Sequence, residues 1–333
     1  VCSSDLVFLP ACSLPPYPAF SKTQASEMQK EKEPKETLPM SSYSRISKAF
    51  QHPCRLPLYQ DSRYVLFSDC HRGTGRSNDN FLKNEFLYVS ALKYYKEQGY
   101  TYLELGDGDE LWENRSFCAV KSIHPDSFEL LGRFFRQDRF YAVYGNHDII
   151  KRKKKFCQTY CQDYFCQCHQ CSRSLFPGIC FYSGIILEDQ KHQMDIYLTH
   201  GHQADFLNSV LWPVSRFLVR YIWRPLEQLG IPDPTSAAKN HRKKKSSEKR
   251  LARWAAQQHH LLITGHTHHP MIGTPSSPYS NTGSCISPSG ITCIEIQDRC
   301  LTLIKWTLGT KPDRTLYVKR VPLGTAICID DYA

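Results

Sequence analysis

Five short blocks in this chain gather residues that ligate metals: Asp69-Cys70-His71, Gly106-Asp107, Gly145-Asn146-His147-Asp148, His200-Gly201-His202 and Gly265-His266-Thr267-His268. One residue separates Asp69 from His71 and His266 from His268, so each pair can turn two side chains from a single loop towards one ion. A mixed set of carboxylate, amide and imidazole donors suits Mn²⁺, Fe or Zn²⁺ better than Mg²⁺ or Ca²⁺, which prefer oxygen alone. A carboxylate carries two oxygens, so Asp107 can bridge two ions, with Asn146 and His200 completing the second. Two ions roughly 3.5–4 Å apart clamp a phosphoryl group and lower the pKa of a bridging water, and that metal-bridging hydroxide then attacks in line. Taken singly, each block is an ordinary turn. Five in succession, each behind a strand-like run, read as one site.

The elements that must position these blocks follow a βαβ rhythm. The runs 64–67, 102–105, 141–144, 194–198 and 261–263 are short, β-branched or aromatic, and each stops just before a ligand block. Such placement is expected at the carboxyl ends of the strands of an α/β sheet. Between the first two runs, Phe81, Phe86, Leu87, Val89, Leu92 and Tyr95 recur at helical spacing over 80–98, and Gly99 is a fitting stop. A second helix is expected over 125–136. After the Asn-His-Asp block come a basic stretch at 151–155, a cysteine-rich segment at 157–171, and a strand-like run at 179–187. A helical insertion spans 203–258 and is expected to cap the site. The runs 291–296 and 301–306 alternate like paired antiparallel strands.

A chain of 333 residues with 41% hydrophobic and 22% charged content can bury one substantial core plus an insertion. The main domain is expected over 61–306, with 307–333 as an extension. Residues 1–45 are proline- and charge-rich and are expected to lie outside the fold, as a tail or an assembly artefact with a true start at Met28 or Met40; a cleaved leader is the alternative. The net charge of +10 favours an anionic partner. Fifteen cysteines in a chain of this size, without a clear leader, read mostly as reduced thiols, which places the protein in the cytoplasm. No apolar run is long enough to span a bilayer.

Together, Asp69-x-His71, Gly106-Asp107, Gly145-Asn146-His147-Asp148, His200-Gly201-His202 and Gly265-His266-Thr267-His268 resemble the signature of the calcineurin-like metallophosphoesterases. The resemblance implies an α/β (α+β) fold, a four-layer α-β-β-α sandwich of two facing mixed sheets, with a dinuclear site at the strand ends. It implies that Asp69, His71, Asp107 and His268 hold one ion, and Asp107, Asn146, His200 and His266 the other. It further implies that His147 stands close to the substrate phosphate and protonates the leaving oxygen or stabilises developing charge, with Asp148 fixing its ring.

The family's branches differ around these blocks. Ser/Thr protein phosphatases carry arginines after Gly-Asp and before Gly-Asn, where this chain has Gly108-Asp109-Glu110 and Tyr144, so that branch is disfavoured. Glu110, Trp112 and Glu113 after Gly106-Asp107, with a helical insertion, are more similar to the UDP-2,3-diacylglucosamine pyrophosphatases. Those enzymes often have Arg at the place of His147 and His-Gly-Asp at the place of His200-Gly201-His202.

The expected activity is hydrolysis of a phosphoester or pyrophosphate bond, on a nucleotide- or lipid-linked substrate. His202, Asn281 and Arg72 are the candidate substrate contacts. Apolar Val214, Phe217, Leu218, Tyr221 and Ile222 share a helical face within 211–224, where Arg216 and Arg220 also align, so this segment could receive an acyl chain or lie on an anionic membrane. Cys157, Cys161, Cys166, Cys168, Cys171 and His169 could hold a structural Zn²⁺, although their spacing matches no paired Cys-x-x-Cys pattern well. A nuclease of the same fold is the other rival, but this chain shows no basic stripe interleaved with aromatics like those that grip single strands, so no specific nucleic acid is expected. A catalytically silent scaffold would have lost ligands, and none of the family's ligand positions is changed.

Overall fold

The computed structural model describes residues 41–333 apart from 77–78, 167–169, 192–193, 224–225 and 227–239. The expected tail therefore lies, up to residue 40, outside the described residues, as do Cys168, His169 and Pro225. Two mixed sheets make the frame. The smaller is ordered Cys54–Leu58, Gly184–Asp189, Ile196–Thr199, Leu261–Thr264, Tyr279–Asn281. The larger runs Leu316–Pro322, Cys300–Thr310, Ile291–Gln297, Tyr64–Phe67, Thr101–Leu105, Phe140–Val143, Phe181–Tyr182, with Ile327–Cys328 paired to Cys300–Thr310.

Strand alternation sorts the core into layers. Leu66, Leu103, Leu105, Val143 and Ile294 of the larger sheet meet Leu56, Ile185, Leu187, Leu198 and Ile263 of the smaller one. On the larger sheet's other face, Phe67, Tyr102 and Ala142 receive Tyr88, Leu92 and Tyr95 of helix Glu85–Glu97 and Phe128 and Leu131 of helix Pro125–Phe135. On the smaller sheet's outer face, Leu262 and Tyr279 pack with Ile46 of helix Ser42–Lys48 and Leu251 and Trp254 of helix His241–Gln258. The expected four-layer sandwich is the result.

Four boundaries differ from the sequence reading. Helix Ser42–Lys48 buries Ile46 against the smaller sheet and strand Cys54–Leu58 pairs with Gly184–Asp189, so the fold begins before residue 45 and well before 61. Leu316–Pro322 and Ile327–Cys328 pair with Cys300–Thr310, so 307–333 continues the larger sheet and is no extension. Helix His241–Gln258 buries Leu251, Trp254 and Ala255 on the smaller sheet, which makes it a structural layer, whereas the 203–258 insertion was expected to cap the site as a whole. The segment after Leu211 is an α-helix only over Trp212–Leu218 and widens to a π-turn at Val219–Trp223. One cysteine pair departs from the reduced reading: Cys300 and Cys328 are disulfide-bonded across the sheet. In the cysteine-rich segment Cys166 and Cys171 are register partners of the antiparallel strands Asp163–Cys166 and Cys171–Ser174. Among the described residues, no three ligating side chains converge there. No helix of the described residues is long and apolar enough to cross a membrane.

Candidate metal centre

The larger sheet's parallel strands Tyr64–Phe67, Thr101–Leu105 and Phe140–Val143 deliver Asp69, Asp107 and Asn146 from their carboxyl ends. The smaller sheet's parallel pair Ile196–Thr199 and Leu261–Thr264 delivers His200, His266 and His268 to the same edge. The backbone bends hard to aim them. Asp69, His71, Asp107, His266 and His268 all hold positive φ, between 49° and 68°. A non-glycine residue rarely adopts that region, and holding it costs about 1–3 kcal/mol each, a strain that clusters at functional sites.

Two groups of donors form around Asp107. In the first, Asp69 Oδ1 lies 3.0 Å from His268 Nε2 and 3.8 Å from His71 Nε2. In the second, His200 Nε2 lies 3.1 Å from Asp107 Oδ2 and 3.2 Å from Asn146 Oδ1. Asp107 Oδ2 is also 3.9 Å from His71 Nε2, so one carboxylate faces both groups. Asp107, His200 and His266 are all buried. The structure thus brings together all seven expected ligands.

Whether these residues fit divalent cations is tested by their unused lone pairs. Asp69 Oδ1, His71 Nε2, His202 Nδ1 and His266 Nε2 are buried without a hydrogen-bond partner, although an unpaired buried polar atom costs about 1–3 kcal/mol. The His200 Nδ1–H donates to the Leu105 carbonyl at 2.8 Å, which turns the lone pair of Nε2 towards two carbonyl-type oxygens. Three acceptors converging on one point require a cation or an extra proton. Burial opposes that proton, yet Asp107 outweighs it and raises His200 to about 9. For His266, burial and the His200 charge win and lower it to about 3. The donor set fits two cations.

The surroundings hold these ligands by their backbones and second nitrogens. Asp69 Oδ2 accepts the His266 N–H at 2.9 Å and the Ser68 hydroxyl. Asp107 Oδ1 accepts the His147 N–H at 2.8 Å. A Cβ at Gly145 would fall on the Asp107 carboxylate, and one at Gly265 on Asp69 and Ser68, so only glycine fits behind each ligand.

Glu110 is the residue whose role the sequence reading missed. Its carboxylate accepts from Nδ1 of His71 at 2.9 Å and from Nδ1 of His147 at 2.7 Å. Burial would raise its pKa, but the His147 and His71 charges hold it far below the usual carboxylate range. The signal was its position three residues after Asp107, noted only as a mark of branch. Trp112 is the second miss: its ring stacks on His147 with centroids 4.4 Å apart.

Three expected roles are corrected. Asp148 does not orient His147: its Oδ1 accepts from the Gly145 N–H and its Oδ2 from Lys151. Arg72 does not face substrate: it is 1% exposed, and its guanidinium donates to Asp109, Glu104 and Tyr88. Asn281 is fully buried, with its amide donating to the Gly265 carbonyl and its carbonyl accepting from Gly283 N–H, so it shapes the turn behind His266. His202 does border the site, its ring 5.5 Å from His200 and 6.5 Å from His266.

The family model for calcineurin-like phosphoesterases matches residues 62–270. No curated protein matches in sequence. Among solved structures, a conserved uncharacterized protein (predicted phosphoesterase) from Streptococcus pneumoniae TIGR4 is 14% identical, covering 80% of this chain and 100% of its own, with TM-score 0.32. Chaetomium thermophilum Vps29 is 12% identical, covering 80% and 97% of the two chains, with TM-score 0.32. A cold-active protein tyrosine phosphatase is 11% identical, covering 82% of each chain, with TM-score 0.35.

Proposed function

Because the chain belongs to the calcineurin-like phosphoesterase family, we propose that it is a dinuclear metal-dependent phosphohydrolase acting on a phosphoester or pyrophosphate bond. The observation that supports this is the convergence of unpartnered lone pairs on either side of Asp107. Asp69, His71, Asp107 and His268 would hold one divalent ion and Asp107, Asn146, His200 and His266 the other, with Mn²⁺ the first choice and Fe or Zn²⁺ compatible with the donors. When bound, the ions supply positive charge to the phosphoryl oxygens and acidify a water.

The protein's own groups do the rest. Glu110 accepts hydrogen bonds from the Nδ1–H groups of His71 and His147, so His71 presents its Nε2 lone pair to the ligand group. The same bond leaves Nε2 of His147 to carry a proton to the leaving oxygen. Burial lowers the pKa of His147, but Glu110 and Asp107 outweigh it and raise it, which favours the protonated form that an acid needs.

The test is hydrolysis of p-nitrophenyl phosphate, bis-p-nitrophenyl phosphate and a UDP-sugar pyrophosphate with Mn²⁺ added or chelated, for wild type and Asp107→Asn, beside metal stoichiometry by mass spectrometry. Two ions per wild-type chain, fewer in Asp107→Asn, and turnover lost with chelation support the reading. Bound metal with no turnover on any substrate would favour the silent scaffold.

A lipid-linked substrate is the second reading, and a specific observation favours it. Val214, Phe217 and Tyr221 are at least half exposed and Ile222 is 40% exposed, on a helical segment that also carries Arg216. An apolar face beside a cation suits peripheral contact with an anionic bilayer. Sedimentation with phosphatidylglycerol vesicles at low salt tests it, and a protein that stays in the supernatant sinks it.

A further inference from the structure

A cleft of about 140 Å³ opens from His147 between the loop after Asp107 and the helix at Trp212–Leu218. That is close to the volume of a cavity that takes one benzene ring, roughly 150 Å³. Leu111, Phe117, Ile149 and Phe156 give its lining an apolar part, and Trp112 is stacked on His147. Three guanidiniums, those of Arg115, Arg216 and Arg220, also line it.

The charges do not balance. Among the described residues, no carboxylate lines the cleft, and none of the three guanidiniums meets a carboxylate within 4.0 Å. Arg220 is spent on the scaffold, donating to the carbonyls of Trp112 and Leu111. Burial and then the Arg216 and Arg115 charges hold it below the ordinary guanidinium value. Arg115 donates to the Tyr221 hydroxyl. Arg216 only lies over the Trp212 ring, at 5.6 Å. Cations crowded into a half-buried, acid-free cleft invite an anion, whose charge-assisted bonds there are stronger than in water.

We propose that this cleft is a leaving-group subsite: it takes a ring-sized body bearing a second anion, a carboxylate or a phosphate, which Arg216 and Arg115 grip while the scissile phosphate sits at the strand ends. This rests on the phosphohydrolase reading and narrows its substrate class to doubly anionic esters. Trp112 and His147 connect the two anion positions, since His147 borders both.

The experiment compares phenyl phosphate with 4-carboxyphenyl phosphate, esters that differ by one distal anion. Wild type should prefer the second by about tenfold in kcat/KM, the scale of one charge-assisted hydrogen bond. Arg216→Gln should bring the ratio to about one, and Arg216→Lys, which keeps the charge, should retain most of it. A wild-type ratio near one, or a preference that survives in Arg216→Gln, overturns the proposal. If neither ester is turned over, the phosphohydrolase reading fails first. Calorimetry with benzylphosphonate and 4-carboxybenzylphosphonate then decides the subsite alone: tighter binding of the second, lost in Arg216→Gln, supports it, whereas equal or absent binding overturns it.

Discussion

Glu110 and His147 are joined at 2.7 Å through Nδ1, and the same carboxylate holds Nδ1 of His71 at 2.9 Å. One buried carboxylate therefore sets the ring orientation of a metal-ligand candidate and of the acid candidate together. Partners of this kind are worth about 10–100-fold in metal affinity. Glu110→Gln should weaken Mn²⁺ binding by about that factor in calorimetry and lower kcat as well. An unchanged affinity would confine Glu110 to His147.

His147→Gln separates the two histidines. It lies outside the ligand groups around Asp107, so metal content should stay at wild-type level while kcat falls about 10²–10⁴-fold, the usual contribution of general acid catalysis. Metal loss in this variant would make His147 a ligand instead.

Arg72→Gln should act on stability. The arginine is buried with Glu104 and Asp109, and Lys151 joins Asp109 to Asp148 beyond it. Removing one partner from a buried ionic network costs about 3–5 kcal/mol. The melting temperature should drop sharply, while KM of the folded fraction stays put. A raised KM at unchanged stability would restore the substrate role.

Gly145→Ala should deplete the centre without replacing a ligand. Its new methyl would strike the Asp107 carboxylate and backbone, and Asp107 faces both ligand groups. Mass spectrometry should find both ions reduced. Full occupancy would mean that the strand ends give way more easily than their packing indicates.

Away from the centre, His124 predicts a pH dependence of stability. It is fully buried, with Nε2 at 3.0 Å from Asp79, Nδ1 at 2.9 Å from Glu85, and the Phe81 ring against it. Burial lowers its pKa, but the two carboxylates outweigh this and raise it from 6.5 to about 9. A raised folded-state value means the stabilisation is complete below about pH 6.5 and is lost as pH climbs through about 9, on the order of 2–3 kcal/mol. Melting curves between pH 6 and 10 should fall for wild type and flatten for His124→Gln. Parallel curves would dismiss the effect.

The sequence alone determined the candidate ligand set, because a ligand must stand next to a strand end and so its type and its place are both local. Asp69, His71, Asp107, Asn146, His200, His266 and His268 were legible as blocks behind apolar runs, and an α/β sheet followed from the strand–helix alternation, whereas the sandwich of two sheets came from the family resemblance those blocks carry. Tertiary structure decided what depends on partners distant in sequence. Arg72 looked available until Glu104 and Asp109 enclosed it, and Asn281 until the Gly265 turn used its amide. Asp148 stood next to His147 in sequence, but the ring turned to Glu110, since Gly145 and Lys151 had already engaged Asp148. The arginine cleft is likewise a product of folding. Arg115 and Arg216 are about a hundred positions apart, and only the packing of the helix onto the loop after Asp107 makes their charges neighbours.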